Sequence, residues 1–309
     1  MPLEVVNLMS KDDEEAFEKF KLSGKILREA REEIKGYVRE GMLLIDICER
    51  AEDLIRKKGA KPAFPCNVSI NEVAAHYTSP PGDRSRVPEN SVVKVDIGAH
   101  VDGYVTDTAV TVCLNPEYED LVETAEGALE VATENIKPGI SASKLGGLIE
   151  SKIRSRGFKA IANLTGHQVG RYVLHTGTSI PNVSMLSLTK LKLGGVYAIE
   201  PFVTLPDAAG RVEDGDASTI FRFVKSRSPK NPYAKQLLKF IEENFRTLPF
   251  AQRWLMGVVP KEHHSVAFSE LLSSKALMCY PVFVEASRRT VAQAEHTVIL
   301  VEGGRVVLT

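Results

Sequence analysis

The 309-residue chain is 43% hydrophobic and 26% charged, an ordinary globular composition that excludes a disordered chain and can bury a full core as one large or two small domains. Its net charge of -1 shows none of the basic surplus that phosphate-binding surfaces carry, so no direct nucleic-acid binding is expected. No apolar stretch approaches the ~20 residues that cross a bilayer, and Glu4 with the acidic run Asp12 to Glu15 departs from a signal peptide, so neither membrane insertion nor export is expected.

Along the chain, Asp12 to Val38 predicts a long amphipathic helix, with Phe17, Phe20, Ile26, Ala30 and Ile34 mostly at three- and four-residue steps. Met42 to Lys58 predicts a second helix. Cys48, Cys66, Cys113 and Cys279 are scattered and form no CxxC pair, which points to reduced thiols and a cytoplasmic location. Residues 91 to 113 are dense in Val, Thr and Ile, interrupted at Gly98 and broken by the turn dipeptide Asp102-Gly103, so they predict a β-hairpin.

A second pair of helices is expected over Glu119 to Ile136 and Ser141 to Arg156. With an offset of 98, Gly41, Ile47, Ile55, Arg56 and Gly59 coincide with Gly139, Leu145, Ile153, Arg154 and Gly157. Either glycine-bounded helices agree by chance or the chain carries an internal duplication, whose halves would place a site on the pseudo-symmetry axis between them. Short β-rich runs at Tyr172 to His175, Val196 to Val203, Val291 to Leu300 and Arg305 to Leu308 are expected to build one antiparallel-rich sheet. The stretch Phe221 to Tyr280 breaks this rhythm with helical patterns around Tyr233 to Phe245 and Ser265 to Ala276. It reads as a helical insert, residues 221–280, packed on a main body of residues 1–220 and 281–309.

Acidic residues stand where strands should be apolar. Asp96 follows Val92, Val93 and Val95, and Asp107 lies within Val105-Thr-Asp-Thr-Ala-Val110. A buried carboxylate faces solvent, pairs with a cation or binds a metal. In a hairpin folded about Val101-Asp102 the two come roughly opposite each other, and a divalent cation turns their repulsion into attraction. One exposed carboxylate and one paired with Lys94 would serve equally for the hairpin alone. His167, between Gly166 and Gly170, offers an imidazole near flexible backbone. Glu200 ends the run Val196-Tyr-Ala-Ile-Glu200, and Glu295 lies in another β-rich run. Four carboxylates and one histidine fit two oxygen-preferring divalent ions bridged by carboxylates.

These motifs resemble those of the methionine aminopeptidases of type II, members of the pita-bread metallopeptidases that also include prolidase and aminopeptidase P. The resemblance runs from Leu22 to Leu300. It implies an α+β pita-bread fold: a pseudo-two-fold, largely antiparallel mixed sheet, helices on its outer face, and a helical insert. The segment Glu243-Asn-Phe-Arg-Thr-Leu-Pro-Phe-Ala-Gln-Arg-Trp-Leu255 resembles a signature of the type II insert. The basic extension of eukaryotic members is absent, as in a minimal archaeal-type enzyme.

By the same resemblance Asp96, Asp107, His167, Glu200 and Glu295 are the metal ligands. Asp107 and Glu295 would bridge two ions, Asp96 would chelate one, and His167 and Glu200 would complete the other. His76 and His175 match the histidines that contact substrate on either side of the scissile amide, and Glu200 would shuttle the proton. His100, His263, His264 and His296 match no catalytic position. Phe64, Leu174, Phe202 and Phe283 are expected to wall an apolar pocket for methionine. The run Pro-Phe-Val-Thr-Leu-Pro after Glu200 lacks the glycines often found there, which bears on substrate fit. The implied activity is removal of the initiator methionine from nascent polypeptide N-termini when the second residue is small. Two divalent ions (Co, Mn, Fe, Zn or Ni) are expected, in a monomer, with ribosome association left open. A prolidase-like peptidase and a catalytically silent binding module on the same scaffold are the alternatives, and the second usually lacks ligand residues.

Overall fold

The computed structural model describes residues 11–309, so the reading of the extreme N-terminus around Glu4 lies outside the described residues. The first helix, α1 (Lys11–Tyr37), and the second, α2 (Leu44–Lys57), bury their apolar faces. Leu27, Ala30, Ile34, Ile47, Cys48 and Ile55 form one core with Val68, Val93 and Val95 of the sheet below. That sheet begins with β1 (Lys61–Ile70), followed by the short β2 (Val73–Ala75) and the hairpin β3 (Val92–Val101) and β4 (Tyr104–Cys113). Its tip, Asp102-Gly103, has φ of 51° and 88°, the left-handed pair that lets a two-residue turn match the strand twist.

A second helical pair follows, α3 (Glu119–Asn135) and α4 (Ala142–Ser155). The glycine-bounded helices of the two pairs repeat the same backbone hydrogen bonds. Gly41 N–H donates to Val87 O and Gly139 N–H to Leu191 O, both at 2.8 Å. Leu44 N–H to Ser85 O and Ala142 N–H to Thr189 O are both 2.9 Å. At the far ends Gly59 and Gly157 take φ of 95° and 84°, conformations that only glycine adopts without strain. The helices α3 and α4 pack through Leu121, Leu129, Leu145 and Ile149 onto Tyr197, Ile199, Val298 and Leu300.

The remaining strands are β5 (Lys159–Ala160), β6 (Thr165–Val169), β7 (Ser179–Pro181), β8 (Val196–Ile199), β9 (Phe202–Thr204) and β10 (Val212–Phe223). Helix α5 (Pro232–Asn244), strand β11 (Phe250–Ala251), a 3-10 turn (Gln252–Leu255) and helix α6 (Lys261–Ser273) come next. They are followed by β12 (Leu277–Glu285), β13 (Val291–Gln293), β14 (Glu295–Val301) and β15 (Gly304–Val307). Every strand pair among the described residues is antiparallel. The main sheet runs β1-β3-β4-β14-β8-β6-β7, with β15 also paired to β14.

Two expectations are corrected here. The β segments form three sheets rather than one. The run Val196 to Val203 breaks after Ile199, and Val291 to Leu300 breaks at Ala294. The outer pieces β9 and β13 join β5 in a separate three-stranded sheet, and β11-β10-β12-β2 form a four-stranded one. Tyr172 to His175 is a loop, because Tyr172 takes φ of 56° and donates its N–H to Gly103 O at 2.7 Å, which takes it out of any extended run. The helices α5 and α6 rest on a core of their own, in which Leu237, Ile241, Phe250, Leu255, Ala267 and Leu271 are buried.

Candidate metal centre and substrate cleft

Each of the five expected ligands comes from a different strand or strand end of the main sheet, and those strands are consecutive neighbours. In sheet order, β3 carries Asp96, β4 Asp107, β14 Glu295, β8 ends just before Glu200, and β6 carries His167. Asp96 does not stand directly opposite Asp107. Asp96 pairs with Ala109 and Asp107 with Gly98, a two-residue offset that keeps both carboxylates on one face as diagonal neighbours. His167 pairs with Ala198, two residues before Glu200, so the same alternation puts their positions on one face.

Ligand atoms of Asp107, His167 and Glu295 lie within 4.8 Å of one another. His167 Nε2 is 3.6 Å from both Asp107 Oδ2 and Glu200 Oε1. All five expected ligands line a cavity of about 270 Å³. His76 and His175 line it too, as do Phe64, Leu174, Phe202 and Phe283. Asp107 and Glu295 are 3% and 1% exposed, and among the described residues no lysine or arginine pairs with any of the four carboxylates. Lys94 lends no charge to Asp96: its ammonium donates to Asn71 O at 2.9 Å and Val291 O at 2.8 Å, and burial pushes its pKa down to about 7.

Such crowding raises proton affinity. Burial pushes Asp96 up to about 7. Burial, then the neighbouring carboxylates, hold Asp107, Glu200 and Glu295 well above the usual carboxylate range. Burial, then the nearby His175, keeps His167 well below the usual imidazole range and therefore neutral, the form that ligates a metal. Asp96 Oδ1, Asp107 Oδ1 and Glu295 Oε1 are buried without a hydrogen-bond partner. Several such acceptors around one neutral imidazole fit a divalent cation, which satisfies all of them at once.

The two further histidines of the cavity, His76 and His175, are held differently. His76 takes φ of 66°, and its ring lies 4.6 Å from that of Phe283 and edge-on to Tyr280 at 5.6 Å. Its Nδ1 is 3.3 Å from the carbonyl of Pro281, which can only accept, so Nδ1 carries the proton and Nε2 keeps a lone pair. Burial lowers its pKa to about 4. The ring of His175 lies 4.2 Å from that of His167, and burial lowers its pKa as well.

Several participants were not anticipated. Tyr280 and Asn67 line the cavity, and Gln293 Nε2 donates to Glu295 Oε2 at 3.2 Å. Gln293 stands two residues before Glu295, a spacing that in an extended run already points to a shared face. Nothing in the sequence marks Tyr280 or Asn67.

A buried cage of oxygen donors and one imidazole at the floor of an apolar-walled cleft, on a doubled helix-pair-and-sheet scaffold, defines a metal-dependent hydrolase. The chain belongs to metallopeptidase family M24, whose model matches residues 18–222. It is 42% identical over 290 residues to a methionine aminopeptidase of Methanocaldococcus jannaschii, an alignment covering 94% of this chain and 97% of that one. It is also similar to a methionine aminopeptidase of Pyrococcus abyssi, at 43% identity over 93% of this chain and 97% of the relative. Among solved structures, the methionine aminopeptidase of Thermotoga maritima superposes with a TM-score of 0.69 at 24% identity, covering 98% of each chain.

Proposed function

We propose that this chain is a methionine aminopeptidase that removes the initiator methionine from nascent polypeptides whose second residue is small. The reading rests on one observation above others: five donors from five neighbouring strands or strand ends line one apolar-walled cleft that two neutral histidines also line. It is supported by relatives about 42% identical over almost the whole chain that carry the name methionine aminopeptidase.

Asp96, Asp107, His167, Glu200 and Glu295 would hold two divalent ions. When bound, such ions supply Lewis acidity and a water that ionises near neutral pH. The protein's own groups then do the following. Glu200, whose proton affinity is raised by burial, accepts the proton of the attacking water and hands it to the departing amine. His76, protonated at Nδ1, offers Nε2 as an acceptor to the amide N–H, while His175 stabilises the developing oxyanion. Phe64, Leu174, Phe202 and Phe283 exclude water around the methionine side chain.

Residues 221–280 form an inserted subdomain on this reading, and the enzyme works as a cytoplasmic monomer on chains leaving the ribosome. No helix among the described residues is long and apolar enough to cross a membrane.

The test is hydrolysis of Met-Ala-Ser and Ala-Pro peptides with Co, Mn, Fe, Zn or Ni, the released residue being identified by mass spectrometry. Release of methionine is expected. Faster cleavage of the Ala-Pro peptide would replace the assignment with a prolidase.

A further inference from the structure

Both substrate-side histidines sit in loops that contain a residue forced into the left-handed region, and both loops are held by one short segment, residues 246–254. His76 itself has φ of 66°, and Tyr172, three residues before His175, has φ of 56°. Neither is glycine, so each conformation persists only where its surroundings impose it.

On the His76 side the holder is Arg253. This guanidinium is buried, at 9% exposure. Its Nη1 donates to Thr78 Oγ1 at 2.8 Å and Ser79 O at 2.9 Å, and its Nη2 pairs with Glu52 of α2. Glu52 is 1% exposed and also accepts from Cys66 N–H at 3.1 Å and Trp254 Nε1–H at 2.7 Å. Thr78 passes the restraint on: its Oγ1 donates to Cys66 O at 2.6 Å and its N–H to Thr219 Oγ1 at 3.1 Å. The Thr219 hydroxyl in turn donates to the carbonyl of His76 at 3.4 Å. On the His175 side, the Thr247 hydroxyl donates to the carbonyl of Tyr172, and the Arg246 guanidinium lies 4.1 Å over the Tyr172 ring.

We infer that residues 246–254 are a strut whose Arg253, Arg246 and Thr247 are positioning residues, setting the separation of the two histidines across the scissile amide. None of the five expected ligands belongs to this segment, so metal capture and histidine placement are separable. The inference rests on the proposed roles of His76 and His175.

The experiment measures kcat and KM on Met-Ala-Ser with saturating Mn, together with the Mn titration, for Arg253→Gln, Thr78→Val, Thr247→Val and the control His76→Ala. Thr78→Val leaves the Glu52–Arg253 pair in place and serves if Arg253→Gln does not fold. The expected result is a fall in kcat on the order of tenfold to a hundredfold in Arg253→Gln and Thr78→Val, as small misplacements of positioned groups produce. The Mn affinity should stay unchanged. Thr78→Ser, which restores the hydroxyl, should recover most of the rate. A strut that only stabilises the fold would lower the melting temperature and leave kcat per folded molecule intact, and that outcome overturns the inference. If His76→Ala itself keeps full kcat, the role given to His76 falls and the inference falls with it. If His76→Ala is slow while the Arg253 and Thr78 variants are not, the strut alone is rejected.

Discussion

Gly98 lies beneath the ring of Phe64, so closely that a Cβ on Gly98 would overlap Cδ1, Cε1 and Cζ of that ring. Gly98 is also the ladder partner of Asp107. One residue without a side chain therefore seats a pocket wall and neighbours a proposed ligand. Gly98→Ala is expected to cost about 1–3 kcal/mol through overpacking and to push the Phe64 ring towards the cavity. Melting curves and KM for Met-Ala-Ser check this. A raised KM with the Mn affinity retained is the expected pattern, and Phe64→Leu in the same chain should recover much of the lost stability.

Asp107 is buried among the other carboxylates of the cage, and its removal separates two effects. Asp107→Asn should abolish metal uptake, read by calorimetric titration, and peptide hydrolysis together. The metal-free variant should melt no lower than the metal-free wild type at pH 8, because a like charge has been taken from a buried cluster. Full activity of this variant in metal-stripped buffer would refute a metal-dependent reaction.

Without metal, the cage makes stability depend on pH with a definite sign. Folded carboxylates whose proton affinity is raised bind protons that the unfolded chain has already lost. Their contribution is complete below the unfolded value near 4 and disappears as pH climbs through the folded value, about 7 for Asp96. The melting temperature of metal-free protein should fall between about pH 5 and pH 8 on this account. Divalent metal should reverse the fall, since it favours the ionised ligands. A metal-free melting temperature that rises over the same interval would contradict the protonated state of the empty cage.

The strands β4 and β14 share only two ladder pairs, Glu295 with Ala109 and His296 with Thr108, and threonine hydroxyls extend the seam. Thr297 Oγ1 accepts from Asp107 N–H and donates to Asp107 O, both at 2.7 Å, while Thr108 Oγ1 donates to Glu295 O at 2.7 Å. Thr297→Val keeps the shape and leaves Asp107's buried backbone groups short of partners, at a cost of about 1–3 kcal/mol. Thermal unfolding should show this loss, together with weaker Mn binding, and Thr297→Ser should restore both.

Much of the site was legible because its cost was visible. Asp96 and Asp107 interrupt runs of valine, and a strand tolerates that only when something pays for the charge. The paired helices were legible because Gly41, Gly59, Gly139 and Gly157 mark ends that need positive φ. Register was harder. The turn occupies Asp102 and Gly103, one step beyond the centre assumed from sequence, and this step moves Asp107 from Asp96 to Gly98. The loop at Tyr172 to His175 was hidden because its β-forming composition is overridden by contacts with Gly103 and Thr247, from distant parts of the chain. Tyr280 was hidden for a similar reason: pairing of β12 with β10 and β2 carries it to His76, and nothing local to residue 280 announces that neighbour.

The central position of β14 has a consequence for the order of events during synthesis. This strand bears Glu295 and lies between β4 and β8, joining the half that holds Asp96 and Asp107 to the half that holds His167 and Glu200. A chain made only as far as Ala294 possesses both helical layers and four of the donors, yet no strand to zip the two halves together. On the proposed ligand set, the protein's own chemistry would be withheld until β14, the last strand but one, has been translated and inserted, and a copy cut short before it would be silent.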